Sequence, residues 1–402
     1  MVYTPREDSF LLQKYVRQQA EGRVLDMGTG SGILALTAVK IPNVREVVAV
    51  DKDAEAVALL QERVRQEKIR KVTVLPSDLF SSVPGQFNVI LFNPPYLPQD
   101  PGIRDETLYG GKQGWELSEK FFAEISRFLF PDGKILFLFS SLTKKSKIED
   151  ILKRHLFQFH ELGREKLAFE ELYVYLVEKT PLLRELEQKG ISHLRYFSQG
   201  KRGTIYVGEW DITTGVKKFL PKKSVLKVAI KTRRESSKAE GTIAQEASWL
   251  PVLNRQGIGP RFLGTGESYF FYEFIEGTPF EAWLKQASRK SVHQVIEKVL
   301  RQCQLLDQLK VTKEEMHHPL KHLLIDQHDH PWLVDFERCK LTEKPQNVTQ
   351  FAEYLCRQQN VLQQKGFSFS VAGVRERARL YKKEYTAETF TFLLQEFSLG
   401  AA

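Results

Sequence analysis

The chain of 402 residues contains only three cysteines, Cys303, Cys339 and Cys356. They are scattered and odd in number, which argues against a disulfide framework or a zinc cluster and fits a reducing, cytoplasmic compartment. No apolar run approaches about 18 residues, so no membrane-spanning helix is expected. The opening stretch, Met1-Val2-Tyr3-Thr4-Pro5-Arg6-Glu7-Asp8, is charged at once and does not read as a secretory signal. Internal repeats and low-complexity segments are also lacking. What is present is the composition of a soluble globular protein, 42% apolar and 27% charged, in a chain long enough for two domains.

Charge is unevenly placed. Residues 1–180 hold 25 basic and 25 acidic side chains, and the remainder holds 34 and 25, so the whole net charge of +9 lies after residue 180. It is densest between Lys201 and Lys238, with Lys222, Lys223, Lys227, Lys231, Arg233 and Arg234. A basic face suits a phosphate-rich partner, a nucleotide or RNA, and a solvated charged surface reads the same way.

The first part alternates strand-like runs (23–27, 46–51, 72–76, 87–92, 134–140, 171–178) with helical patterns such as 54–67 and 116–129, which predicts a doubly wound α/β sheet. Thr180-Pro181 breaks that pattern. A second pattern starts near Arg195, with strand-like runs at 204–209, 225–231 and 269–275 around one helix, 240–254. A helix at 292–310, two short strands (323–326 and 332–335) and a helical tail from Val348 follow. The expected domains are 1–182, 190–345 and a helical extension, 346–402.

Two motifs in the first part carry chemistry. A strand ending at Val24-Leu25-Asp26 opens into Met27-Gly28-Thr29-Gly30-Ser31-Gly32. Glycines there let the backbone turn tightly and approach a cofactor without a Cβ in the way. Asp51 stands at the end of the next strand, placed to accept hydrogen bonds from ribose hydroxyls, and Asp78, after the third, is placed to meet an adenine amino group. The glycine turn alone fits any nucleotide site. The second motif, Asn93-Pro94-Pro95-Tyr96, follows the fourth strand. An amide nitrogen is a poor nucleophile because its lone pair is delocalised, so an enzyme must fix the NH2 group and aim it. The Asn93 side-chain oxygen and the Pro94 carbonyl offer two acceptors for two N–H bonds. Pro94 and Pro95 stiffen the turn, and Tyr96 offers a flat wall. Together the motifs predict an S-adenosylmethionine (SAM) dependent amide or amine methyltransferase with Asn93, Pro94, Pro95 and Tyr96 as catalytic residues. Asp26, Gly28, Thr29, Gly30, Gly32, Asp51, Asp78 and Asn93 form the expected cofactor site.

Taken in order, Val2 to Leu12, the glycine motif, Asn93 to Tyr96, Gly110-Gly111-Lys112-Gln113-Gly114 and Phe169-Glu170-Glu171-Leu172-Tyr173 resemble the HemK-type protein-glutamine methyltransferases, in their archaeal and eukaryotic branch. The resemblance covers roughly the first 180 residues, and the extra N-terminal helical domain of the bacterial branch is not expected. It implies a class I, Rossmann-like fold and N5-methylation of the glutamine in the Gly-Gly-Gln loop of class I translation release factors. It also implies a small zinc-binding activator subunit. Adenine-N6 nucleic-acid methyltransferases, which use the same Asn-Pro-Pro-Tyr turn on a flipped base, are the alternative.

In the second part a short Gly-rich loop, Gly200-Lys201-Arg202-Gly203, joins two strands, and Val228-Ala229-Ile230-Lys231 precedes a helix that carries Glu246. Tyr272-Glu273-Phe274 and Asp335-Phe336-Glu337 follow in order. The series resembles the small atypical kinases of the RIO and KEOPS-associated type over about 195–340, an α+β two-lobed fold. The resemblance implies ATP and Mg2+, with Gly200, Gly203, Lys231, Glu246, Glu273, His322 and Asp335 at the nucleotide and Asp335 with His322 at the metal. The sequence departs from that pattern where it matters: His317 stands at the catalytic Asp and His322 at the metal-binding Asn. Glu314, Glu315 or His317 would have to take the proton. A docking or RNA-binding module, in contact with RNA or the ribosome through the basic segment, is the other reading of this half.

Overall fold

The computed structural model describes residues 3–99, 108–200, 203–212, 225–233 and 242–398. The chain divides into two compact units, Met1–Tyr196 with Gly208–Val225, and Phe197–Val207 with Leu226–Ala402.

The first unit runs α1 (Glu7–Gln19), β1 (Gly22–Met27), α2 (Ile33–Ala38), β2 (Val44–Asp51), α3 (Ala54–Gln66), β3 (Val72–Pro76), β4 (Phe87–Phe92), α4 (Glu116–Glu124), β5 (Leu129–Ser140), α5 (Lys145–Arg154), β6 (Phe157–Lys166), β7 (Glu171–Lys179) and α6 (Pro181–Gln188). Its seven strands lie in the order β3-β2-β1-β4-β5-β7-β6. The pairs from β3 to β5 are parallel, and β7 runs antiparallel to both β5 and β6. Parallel strands covered on both faces read as apolar runs, and Val24, Leu25, Val89, Ile90 and Leu91 are fully buried. One face packs under α1, α2 and α3 through Leu12, Val16, Ala35 and Leu60. On the other, Phe92, Phe121 and Phe137 stack.

Strand order reverses between β1 and β4, which pair directly with Met27 opposite Phe92. The carboxyl ends of strands at such a switch point are where open α/β sheets bind ligands. The glycine turn leaves the first of these ends and Asn93-Pro94-Pro95-Tyr96 leaves the other, so the topology itself brings the two motifs together.

Beyond α6 the chain forms a five-stranded sheet, order β11-β12-β10-β9-β8, built from β8 (Ile191–Gln199), β9 (Gly203–Asp211), β10 (Val225–Arg233), β11 (Phe262–Thr265) and β12 (Tyr269–Glu273), with α7 (Thr242–Asn254) between β10 and β11. Then come β13 (Thr278–Pro279), α8 (Phe280–Gln286), α9 (Arg289–Gln308), β14 (Val311–Lys313), β15 (Leu323–Ile325), β16 (Pro331–Leu333) and β17 (Cys339–Leu341). Four helices close the chain: α10 (Asn347–Arg357), α11 (Gln359–Gln364), α12 (Val371–Glu384) and α13 (Ala387–Ser398). Helix α9 buries Val292, Val295, Ile296, Val299, Cys303 and Leu306 along one stripe, the spacing of a core-facing helix. Its start is capped by Ser288, whose side chain accepts from the Ser291 N–H. That stripe shares one apolar core with Phe351, Leu355, Tyr381 and Phe390 of the C-terminal helices.

β6, β8, β11 and α8 are among the elements that went unread in the sequence. Strand β6 is an edge strand, mostly exposed and ending Glu-Leu-Gly-Arg-Glu-Lys, with an irregularity between Glu161 and Gly163. Charge and a bulge are how edges avoid further pairing, and they erase the apolar alternation. Strand β8 also alternates with exposed polar residues, and β11 and α8 are only four and seven residues long. The helix expected over 116–129 ends at Glu124 and continues as one 3-10 turn, Ile125–Phe128. All three cysteines are buried and free. Among the described residues no helix is long and apolar enough to cross a membrane.

Candidate active site

A cavity of about 530 Å³ lies at the carboxyl ends of β1, β2 and β4. The glycine turn forms its floor. Gly28, Gly30 and Gly32 have φ of +71°, +51° and +78°, a region L side chains adopt only with strain. At Gly32 a Cβ would also overlap the Leu60 methyl groups. The Gly28 and Thr29 N–H groups both donate to the Val50 carbonyl at 2.9 Å, which ties the turn to β2.

The expected cofactor residues divide into those that face the cavity and two, Asp26 and Gly32, that do not line it. Asp26 is 1% exposed, and its Oδ2 accepts from Thr29 Oγ1 at 2.6 Å and from the Ala35 N–H at 3.0 Å. It joins the turn to α2 and does not line the cavity. Burial pushes its carboxyl up to about 6, against the downward pull of those two hydrogen bonds. Asp51 does line the cavity; its Oδ2 accepts from the Gly30 N–H at 2.8 Å and its Oδ1 from the Asp53 N–H at 2.9 Å. Asp78 is exposed at the rim.

Across the cavity stands Asn93. Its Nδ2 donates to Asp8 Oδ2 at 2.9 Å, and its Oδ1 is buried without a hydrogen-bond partner. Pro94, Pro95 and Tyr96 line the same wall. Burial, reinforced by Asp8 and Glu170, raises the Tyr96 phenol far above its ordinary range, so the ring stays neutral. Glu170, just before β7, adds a second buried acceptor without a partner, its Oε2. A buried acceptor left unsatisfied is costly unless a ligand completes it, so this wall is built for a donor.

In the second unit, residues far apart in sequence meet around Lys231. Its Nζ lies 2.5 Å from Glu246, 3.1 Å from Asp335 and 3.5 Å from Glu337. Burial pulls this lysine down, but Glu246 and Asp335 outweigh it and hold the ammonium charged. The Phe336 N–H donates to Glu246 Oε1 at 3.1 Å, and Asp335 adopts a left-handed φ of +61°. Gly203 lies close to this cluster, where a Cβ would stand 2.8 Å from the Thr232 carbonyl oxygen. The Gly200 N–H donates to the Gly203 carbonyl at 2.9 Å, closing the turn whose Lys201 and Arg202 lie outside the described residues. Glu273 pairs instead with Arg261 at 3.2 Å. Exposed His317 bonds the Glu314 carbonyl through its ring, and none of the described contacts joins it to the Lys231 cluster.

A divalent metal fits this cluster poorly. The carboxylates of Glu246, Asp335 and Glu337 lie within 4.8 Å of one another, yet the Lys231 ammonium already sits against all three. His322, expected as a ligand, has its Nδ1 3.6 Å from Asp335 Oδ2, and burial and Lys313 lower its pKa. Lys313 is wholly buried and donates to the Asp335 carbonyl. The basic segment is only partly described: Lys222, Lys223, Arg234 and Lys238 lie outside the described residues, while Lys227 pairs with Glu276.

Comparison with known proteins bears on the first unit. Residues 7–169 match the model of the methyltransferase small domain. A putative protein N5-glutamine methyltransferase of Methanocaldococcus jannaschii is 35% identical over 178 residues, 43% of this chain and 89% of that protein. The chain belongs to the methyltransferase small-domain family. The release factor glutamine methyltransferase of Deinococcus radiodurans is 35% identical over 130 residues, 30% of this chain and 46% of that protein, so this match spans about half of the bacterial relative. A solved structure is also similar: that of the E. cuniculi Mtq2–Trm112 complex, described as responsible for methylation of the eRF1 translation termination factor. It is 24% identical, covering 44% of this chain and 99% of that one, with a TM-score of 0.37.

The methyltransferase unit therefore carries the class I, Rossmann-like fold, and its family implies SAM as cofactor. The residues fit that group. Gly28 and Gly30 leave the turn open to close approach, Asp51 and Asp78 stand at the ends of the next two strands, and Asn93 and Glu170 present unsatisfied acceptors. Sequence reasoning gave no role to Asp8, Tyr3 or Lys313. A buried carboxylate in the first turn of α1 looks, in sequence, like an ordinary helix-dipole acid.

Proposed function

We propose that the methyltransferase unit transfers a methyl group from SAM to the side-chain nitrogen of a protein glutamine, most specifically the glutamine of the Gly-Gly-Gln loop in a class I translation release factor. The observation that carries this reading is the Asn93 Oδ1, buried and unpaired on the cavity wall. The names of the relatives and the resemblance of the flanking motifs support the same substrate. SAM would supply the electrophilic methyl, its methyl–sulfur bond breaking so that S-adenosylhomocysteine is the leaving group. Asn93 Oδ1 and the Pro94 carbonyl would accept the two N–H bonds of the glutamine amide and aim its nitrogen, and Tyr96 would lie against its plane. As the N–C bond forms the amide nitrogen loses its proton to water. A small zinc-binding activator is the expected partner of this unit.

The test is mass spectrometry of a class I release factor after incubation with this protein and SAM, with and without such an activator, beside a Gly-Gly-Asn control. One added methyl on the loop glutamine, absent from the control, is the expected result. No methylation under any condition, with SAM bound, would move the target elsewhere and favour an adenine-N6 acceptor.

For the second unit we infer a kinase-like scaffold that binds nucleotide phosphate at Lys231. Support comes from the order of its motifs and the Lys231–Glu246 pair joining β10 to α7. With His317 in place of a carboxylate, a phosphotransfer step has no evident proton acceptor. Titration of the full chain with ATP, with and without Mg2+, tests this: binding lost in K231M supports it, and no binding under either condition refutes it.

A further inference from the structure

A side-chain amide has a donor end and an acceptor end, and the end that faces a cavity decides what the cavity takes. At Asn93 that choice is made from behind. Asp8 is 5% exposed, and each of its described hydrogen-bond partners is a donor. Its Oδ1 accepts from the Ser9 N–H at 2.6 Å and from the Tyr3 hydroxyl at 2.9 Å, and its Oδ2 from Tyr3 at 3.0 Å and Asn93 Nδ2 at 2.9 Å. A carboxylate only accepts, so the Asn93 NH2 must face Asp8 and its oxygen must face away. That oxygen is the one left buried and unpaired.

We propose that Asp8 is a positioning residue that locks the Asn93 amide with its oxygen toward the substrate, so that the site takes the NH2 of glutamine and refuses the carboxylate of glutamate. Refusal follows because a glutamate carboxylate would meet Asn93 Oδ1 and the Glu170 carboxylate, acceptor against acceptor. The inference rests on the reading that Asn93 holds a glutamine amide.

The geometry makes an unusual prediction about two substitutions. In D8N the backbone N–H of Ser9 cannot turn away, so the new amide keeps its oxygen there and its NH2 replaces Oδ2. Two NH2 groups would then face each other, and Asn93 relieves the conflict by turning over, which puts its own NH2 into the cavity. In D8A the Asn93 amide is merely released and samples both orientations. The near-isosteric D8N is therefore expected to be the more damaging change, the reverse of what a purely structural role would give.

Full-length wild type, D8N and D8A would be compared for SAM binding, for methylation of a Gly-Gly-Gln release factor, and for inhibition by its Gly-Gly-Glu form. Expected are unchanged SAM affinity, a loss of kcat of about 100-fold or more in D8N and about 10-fold in D8A, and inhibition by the Gly-Gly-Glu form only in D8N. D8A as damaging as D8N, or unchanged Gln/Glu discrimination in D8N, would overturn the proposal. The chain has six asparagines, so 15N-asparagine labelling reads the lock without any substrate. The Asn93 NH2 signals, assigned by N93A, should be protected from exchange in wild type and exposed in D8N. If they are unprotected in wild type, or D8N leaves them unchanged, the lock is refuted whatever the substrate. Protection with no release factor methylation would instead refute only the substrate.

Discussion

Replacing Lys231 by methionine should destabilise the second unit by about 4 kcal/mol at pH 7. The side chains differ little in length and apolar stem, so the change chiefly removes a charge. Lys231 and Glu246 are 8% and 3% exposed, with Asp335 and Glu337 beside them. Breaking a buried pair by removing one partner typically costs about 3–5 kcal/mol, because the remaining charge stays buried without compensation. Here three carboxylates lose one ammonium. Without it, burial lifts the carboxyls of Glu246 and Asp335 relative to wild type, where Lys231 holds them down, so the folded form binds more protons. The deficit of K231M should therefore be largest at neutral pH and shrink as pH falls through the raised values. The double variant K231M/E246Q, with one buried charge fewer, should recover about half of the loss. Urea unfolding followed by tryptophan fluorescence suits the test, since Trp249, Trp283 and Trp332 lie in this unit. A K231M chain within about 1 kcal/mol of wild type at pH 7, or a deficit that does not shrink on acidification, would refute the reasoning.

In the methyltransferase unit, N93A should leave SAM binding within about twofold of wild type and lower kcat about 100- to 1,000-fold, the usual effect of losing one positioned polar group; near-normal turnover would deny it the orienting role. Asp26 titrates near 6 when folded, above the ordinary carboxyl range. Stability should thus fall as pH rises from about 4 to 6, by about 3 kcal/mol relative to D26N, and stay level above that. Denaturation curves of both proteins at several pH values check the sign. G32A, with its left-handed φ and the overlap with Leu60, should cost about 2–4 kcal/mol and weaken SAM binding in calorimetry; a neutral result would mean the turn relaxes freely.

The motifs legible in the sequence were those whose chemistry is local. Val24-Leu25-Asp26 and Phe87–Phe92 read as buried strands because both faces are covered, and the glycines and the Asn-Pro-Pro-Tyr turn announce themselves at strand ends. Their meeting was legible only through the order of elements, since nothing local says that β1 pairs with β4. Strand β6 was lost because an edge is written in charges. The Lys231–Glu246 pair could be guessed from a strand followed by a helix, but Glu337 and Lys313 could not. Each is an unremarkable surface residue in sequence, and each becomes part of a buried charge network only when β14 and the segment after β16 close on β10 and α7.

Asp8 shows most sharply why the rest was hidden. In the sequence it is one of two acids opening a helix, where either would serve the dipole equally well. Folding exposes Glu7 and buries Asp8 against a residue 85 positions away. That contact settles something no one-dimensional pattern contains, namely which end of the Asn93 amide faces the cavity. On the proposed reading, a motif of four residues supplies the group that would meet the substrate, and a fifth, outside the motif, would set whether that group accepts or donates. Substituting within Asn93-Pro94-Pro95-Tyr96 therefore tests whether the site works at all, whereas D8N against D8A tests what it selects.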